Sequence, residues 1–193
     1  GEVLPTEEEL LAMYNNANAM EVEPYQEEVF DGPIVPELPK PGTVKKETTN
    51  ETFGTTEWTL SNGMKVIYKQ TDFKEDEIRM SAYSPGGLTA LPQEDPYTLQ
   101  VLDNIITLGG VGEFSAIDLP KVLAGKKVSV SPYINTYSEG MSGNCSPKDL
   151  ETMLQLVYLY FTAPRADQEA FQSEIQRTQA MLKNMELNPM ITL

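Results

Sequence analysis

Two short apolar runs, Glu57–Leu60 and Met64–Lys69, stand on either side of Ser61-Asn62-Gly63. Asn-Gly between such runs favours a tight turn with positive φ, which folds the chain back on itself as an antiparallel hairpin. Ile78–Tyr83 reads as a third strand, ended by Ser84-Pro85-Gly86-Gly87. A helix then opens with Asp95 as N-cap and Pro96 at the first helical position, and stops at Gly109-Gly110. Residues 115–124 read as a shorter helix, and Lys127–Tyr133 and Thr136–Asn144 as two more strands with alternating patterns. Ser146-Pro147 opens a helix through about Phe161. Asp167 opens the last helix, striped by Phe171, Ile175, Thr178, Leu182 and Met185. Strands in groups followed by helices in groups predict an α+β fold, a largely antiparallel sheet with helices packed on one face.

The N-terminal stretch has a different character. Thr6 with Glu9 makes a capping box for a short helix over 5–20, with Leu10, Leu11, Tyr14 and Ala17 as its apolar stripe. Residues 21–53 carry Pro24, Pro33, Pro36, Pro39 and Pro41 among acidic residues and read as an extended linker. Residues 1–53 hold 12 acidic and 3 basic residues, net -9, out of -15 for the whole chain. A domain boundary is therefore placed near Phe53, dividing 1–53 from 54–193. The acidity argues against nucleic-acid and anionic membrane partners. No apolar run approaches the ~18 residues of a membrane-spanning helix.

The chain contains no histidine and one cysteine, Cys145. A Ser-His-Asp triad, a Cys-His pair and a His-ligated zinc are thereby excluded within it. Ser138, Ser142 and Ser146 near Cys145 have no base to activate them, and Cys145 reads as a small core residue. Asp72, Glu75, Asp76 and Glu77 form an acidic loop without the alternate spacing and Gly of a calcium loop, so a solvated loop is the simpler reading. Ser84–Gly87 lacks the Lys-Ser/Thr of a phosphate loop and reads as a strand-ending turn. Gly109-Gly110-Val111-Gly112 reads as a helix stop and flexible joint. Leu150, Met153, Leu154, Leu156, Val157 and Leu159 make the helix after Ser146 apolar on most faces, which suits burial inside a larger shell.

Leu60-Ser61-Asn62-Gly63-Met64-Lys65-Val66 resembles the opening strand of subdomains in the pitrilysin/insulinase metallopeptidase family, which also includes mitochondrial-processing-peptidase-like proteins. The order of elements over 57–187 is similar to that family's. The resemblance implies its metallohydrolase fold, read here as incomplete at the C-terminus because Ile191-Thr192-Leu193 falls where a further strand is expected. Active halves of the family carry H-x-x-E-H on the first long helix, with a zinc-ligating Glu on the last. Aligned on Gly109, the matching positions are Gln100 and Asn104 for the histidines, Asp103 for the general base and Met181 for the ligand glutamate. Neutral amides and a thioether are poor zinc ligands. A plain polar helix face explains Gln100, Asp103, Asn104 and Thr107 equally well, and it too coordinates nothing.

The resemblance thus implies the non-catalytic half of a zinc-dependent endopeptidase. That half is a wall of the chamber that encloses peptide substrate, without catalytic, cofactor or metal residues of its own. Zinc and hydrolysis would lie in a catalytic half, on the same polypeptide or a partner subunit. A periplasmic or cell-envelope location is implied by bacterial relatives. Two other readings stay open: a catalytically silent scaffold subunit of the same fold, and an unrelated α+β module that binds an extended peptide at a sheet edge.

Overall fold

The computed structural model describes residues 4–21, 32–91, 102 and 105–186. It divides into two compact units, residues 1–30 and 31–193. The first holds helix α1 (Glu7–Ala19). Its capping box forms as the sequence predicts: Glu9 N–H donates to Thr6 Oγ1 at 3.3 Å and Thr6 N–H to Glu9 Oε2 at 2.8 Å. Leu10, Leu11 and Tyr14 are exposed on it.

The second unit contains two three-stranded antiparallel sheets. The first is a meander of β1 (Val44–Asn50), β2 (Thr55–Leu60) and β3 (Lys65–Tyr68). The Asn-Gly hairpin is present. Gly63 takes φ +88, its N–H donates to Leu60 O at 3.0 Å, and Asn62 Oδ1 accepts Met64 N–H at 3.0 Å. Strand β1 falls in the stretch expected to be linker. Its charged run Lys45-Lys46-Glu47 hides the period, and the strand forms because the free edge of β2 offers a ladder from Val44↔Leu60 to Asn50↔Thr55. Asn50 Oδ1 closes the turn by accepting the N–H groups of Thr52 and Phe53. Ile34 and Val35, from the same stretch, are buried in the core.

The second sheet comprises β4 (Ile78–Pro85), β5 (Val128–Ile134) and β6 (Ser138–Cys145), with β6 in the middle. Register pairs Ile78, Cys145 and Val128 across the sheet, then Met80, Gly143 and Val130, then Ala82, Met141 and Pro132. These rows share one face. Helix α3 (Leu150–Thr162) lies over it, with Met153 and Leu156 at 1% and 2% exposure. Val111, Phe114 and Leu159 complete the core. Short helix α2 (Asp118–Val122) is about half the length that 115–124 predicts; Ser115 Oγ accepts Asp118 N–H at 3.1 Å and so starts the turn.

Helix α4 (Gln168–Glu186) begins where Asp167 Oδ1 accepts the N–H groups of Glu169 and Ala170. Its predicted apolar stripe is present in order, yet Phe171, Ile175, Leu182 and Met185 are all exposed. The helix predicted over 96–108 falls largely outside the described residues; Leu102 and Ile105 are helical, and Gly110 N–H donates to Thr107 O at 3.2 Å.

Gly109-Gly110 ends that helix but is no flexible joint. Both residues are buried, and a Cβ on Gly109 would run into the Arg165 carbonyl. Gly112 N–H donates to Ala163 O at 2.8 Å, and Val111 bridges to both Phe114 and Pro164. The glycines allow two stretches of backbone to touch just past the C-terminal end of α3.

The start of α3 is tied by a buried polar pair. A 3-10 turn over Pro147–Asp149 precedes the helix. Ser146 Oγ donates to Asp149 Oδ2 at 2.5 Å, and Lys127 N–H donates to the same oxygen at 2.9 Å. These two hydrogen bonds, the Ser146 one first, hold the Asp149 carboxyl below the usual carboxylate range. A depressed folded pKa stabilises the fold above the ordinary value of 3.8, and this contribution is lost as pH falls through the lower folded value. The Asp149→Asn variant should therefore melt below the parent chain at neutral pH, with the gap narrowing on acidification below pH 4. Thermal melts across pH 3–7 check this; a gap independent of pH would show that the charge is irrelevant.

Candidate functional site

Of the four positions aligned with the zinc motif, the described residues include one. Met181 lies on α4, as the sequence predicts, and is 56% exposed. Gln100, Asp103 and Asn104 lie outside the described residues. The donor set can still be judged by its chemistry. Structural and catalytic zinc sites draw on imidazole, thiolate and carboxylate donors. Two amides, one short carboxylate and a thioether do not fit that ion. Among the described residues, no group of three His, Cys, Asp or Glu side chains could hold a metal.

Among the described residues, the other groups singled out from the sequence are engaged in structure. In the acidic loop, the Arg79 guanidinium donates to Glu77 Oε2 at 3.0 Å, and Lys74 Nζ approaches its other oxygen at 3.4 Å. Arg79 foremost, then Lys74, holds the Glu77 carboxyl below its ordinary range. Asp76 pairs with Lys127 at 3.4 Å. Cys145 is buried against the sheet, and burial, aided by the Asp149 charge, raises its thiol pKa. A thiol so placed is a core side chain and a poor nucleophile. Ser146 does have a carboxylate beside it, which the sequence reading missed. The Ser-x-x-Asp spacing was the available signal. That carboxylate is also occupied by the Lys127 amide, and both side chains are buried.

The second sheet has one covered face and one open face. Arg79, Ser81, Ser129, Ser131, Ser142 and Asn144 project from the open side and border a shallow depression of about 580 Å³. Tyr133 crosses this face above Gly140, donating its hydroxyl to Ala82 O at 3.0 Å. The absence of a side chain at Gly140 permits the crossing. Ser84–Gly87 closes one end of the sheet as a turn: Gly86 N–H donates to Tyr137 O at 2.9 Å, and Gly87 N–H to the Glu139 carboxylate.

This α+β arrangement recurs inside larger proteases. A crystal structure of the periplasmic protease PqqL from Escherichia coli matches 96% of this chain with 20% of its own, at TM-score 0.69 and 18% identity. A mutant of the ferredoxin protease FusC, solved in complex with Arabidopsis ferredoxin, matches 98% of this chain with 21% of its own, at TM-score 0.67 and 20% identity. Those likenesses establish the fold. In sequence, the "Zinc protease PQQL-like" protein of Arabidopsis thaliana is 35% identical over 159 residues, covering 80% of this chain and 14% of that protein. "Probable zinc protease PqqL" of Haemophilus influenzae is 28% identical over 131 residues, covering 68% of this chain and 14% of that protein. No protein-family model matches the chain. The chain is homologous to PqqL-like zinc proteases of the pitrilysin family and spans about one-seventh of the length of these relatives. The reading as an unrelated peptide-binding module is thereby set aside.

Proposed function

We propose that the chain is part of the non-catalytic half of a PqqL-like zinc protease. Residues 54–193 supply most of the first subdomain of that half. Residues 1–53 join it to a preceding domain, their last strand β1 pairing onto β2. This half forms a wall of the chamber around a peptide substrate, and zinc and hydrolysis belong to a second, histidine-bearing half. One observation carries the proposal: a chain homologous to zinc proteases contains no histidine anywhere in its 193 residues. Peptide binding by such a wall needs hydrogen-bonding groups without a cation, and the hydroxyl-rich open face of the second sheet offers them. PqqL of Escherichia coli is described as periplasmic, and we place this chain in the periplasm or cell envelope on that likeness. Among the described residues no helix is long and apolar enough to cross a membrane.

The 193-residue chain, purified and incubated with a library of unfolded polypeptides, should produce no cleavage with or without added zinc. Cleavage that EDTA abolishes would place the catalytic centre here and end the proposal. A gene whose full product lacks any H-x-x-E-H would instead favour the silent scaffold subunit.

A further inference from the structure

The first sheet carries an apolar face that no described residue buries: Trp58, Leu60 and Val66 are half-buried, and Val44 and Tyr68 are exposed. Register puts Val44 opposite Leu60, Trp58 opposite Val66, and Thr56 opposite Tyr68, so these side chains share one side of the sheet. Trp58 and Tyr68 stack with ring centroids 4.8 Å apart, and the indole N–H donates to Glu47 Oε2 at 2.6 Å. The opposite face is mostly polar: Glu57 pairs with Lys65 at 3.2 Å, and Ile67 is its one exposed apolar side chain among the strand residues. Yet Val44 is 49% and Tyr68 45% exposed, and no residue of the three strands is buried. A contiguous apolar face left in contact with water and rimmed by polar residues marks an interaction surface.

Two observations select the cover. The chain carries a net charge of -15, so a second copy would meet it with strong like-charge repulsion. The PqqL structure that matches 96% of this chain does so with 20% of its own length, and the Haemophilus relative is covered over 14%. Those proteins are about five to seven times as long as the stretch that matches this chain. We propose that the face of Val44, Trp58, Leu60, Val66 and Tyr68 is an internal docking surface, covered by an apolar element of the same polypeptide outside residues 1–193. The inference rests on the chain being part of a longer protease-like protein, and is independent of whether its zinc positions are empty.

Alkylation rates test it. Tyr68→Cys reports the apolar face, Ile67→Cys the polar face of the same strand, and Phe73→Cys an exposed loop beyond it. Each is made in the 193-residue chain and in the full product of the gene, and labelled peptides are quantified by mass spectrometry. Cys at 68 should react at the loop rate in the short chain and at least about tenfold more slowly in the full product, with 67 and 73 unchanged. Equal rates at 68 in both proteins would overturn the proposal, as would a gene product ending near residue 193. Protection of 68 in the short chain that disappears on dilution would assign the face to a second copy. Slow reaction at 67 as well would show that the whole strand is buried. If Tyr68→Cys does not fold, acrylamide quenching of Trp58, the one tryptophan of the short chain, gives the same reading there: partial quenching is expected of this half-buried ring, and complete shielding contradicts the proposal.

Discussion

Leu156→Ala should cost the chain about 2–5 kcal/mol of stability. Leu156 is 2% exposed and packs with Met153, Val130 and Met141 in the one core that joins α3 to the second sheet. Removing its branched end leaves a cavity that α3 cannot fully collapse into, because the surrounding core, with Met153 at 1% and Val111 at 0% exposure, is closely packed. For a chain of this size the expected drop in melting temperature is about 2–4 °C per kcal/mol, so of order 10 °C. Leu154→Ala, on the same helix but 52% exposed, should change stability by less than about 1 kcal/mol. Urea melts of both variants decide the matter. Equal losses would mean that α3 is buried on both sides in the isolated chain.

Gly110→Ala should be worse still, with a loss of about 4 kcal/mol or more and no folded protein recovered at 37 °C. Gly110 has φ +88, a conformation that costs an L residue about 1–2 kcal/mol by itself. The added Cβ would also strike the Phe114 carbonyl oxygen, with Ser115 C at 2.6 Å and Ala116 N at 2.7 Å. These are backbone atoms and cannot move aside without breaking the Val111–Phe114 hydrogen bonds. Gly125→Ala is the matched control. It has φ +78 and nothing within 4 Å of the new atom, so it should lose only the conformational part, about 1–2 kcal/mol. Similar losses at 110 and 125 would reduce the close approach to ordinary turn strain.

How far the sequence reveals the fold depends on how local the cause is. The Asn62-Gly63 hairpin, the Thr6–Glu9 capping box and the Asp167 N-cap are set by residues within a few positions of one another, and each stands where the sequence predicts it. Strand β1 is not legible, because Lys45, Lys46 and Glu47 carry no apolar period. Only the distant edge of β2 makes them a strand. The role of Gly109-Gly110 is hidden for the same reason: a helix stop can be read locally, but the Arg165 backbone it touches cannot. Grouping of strands and helices gives the α+β class, though not the division into two sheets, since alternation says which face is apolar and nothing about which strands share a ladder.

The candidate site is legible only through likeness. Nothing in the pattern around Gln100, Asp103, Asn104 and Met181 separates them from an ordinary polar helix face; the Leu60–Val66 strand and the order of elements gave them meaning. Ser146–Asp149 and the open hydroxyl face of the second sheet needed coordinates, because tertiary packing decides which side of a strand α3 covers. The apolar stripe of α4 shows the complementary failure. Helical spacing correctly identifies one face of Phe171, Ile175, Leu182 and Met185, yet amphipathicity by itself does not supply a partner.

We propose that this chain, although homologous to zinc proteases, binds no zinc, because Gln100, Asp103, Asn104 and Met181 make a poor donor set. Titration calorimetry of the purified 193-residue chain with zinc chloride, at neutral pH after dialysis against chelator, tests it most directly. Dilution heats alone are expected, unchanged by Met181→Ala. A saturable isotherm with one zinc per chain, weakened by Met181→Ala, would contradict it.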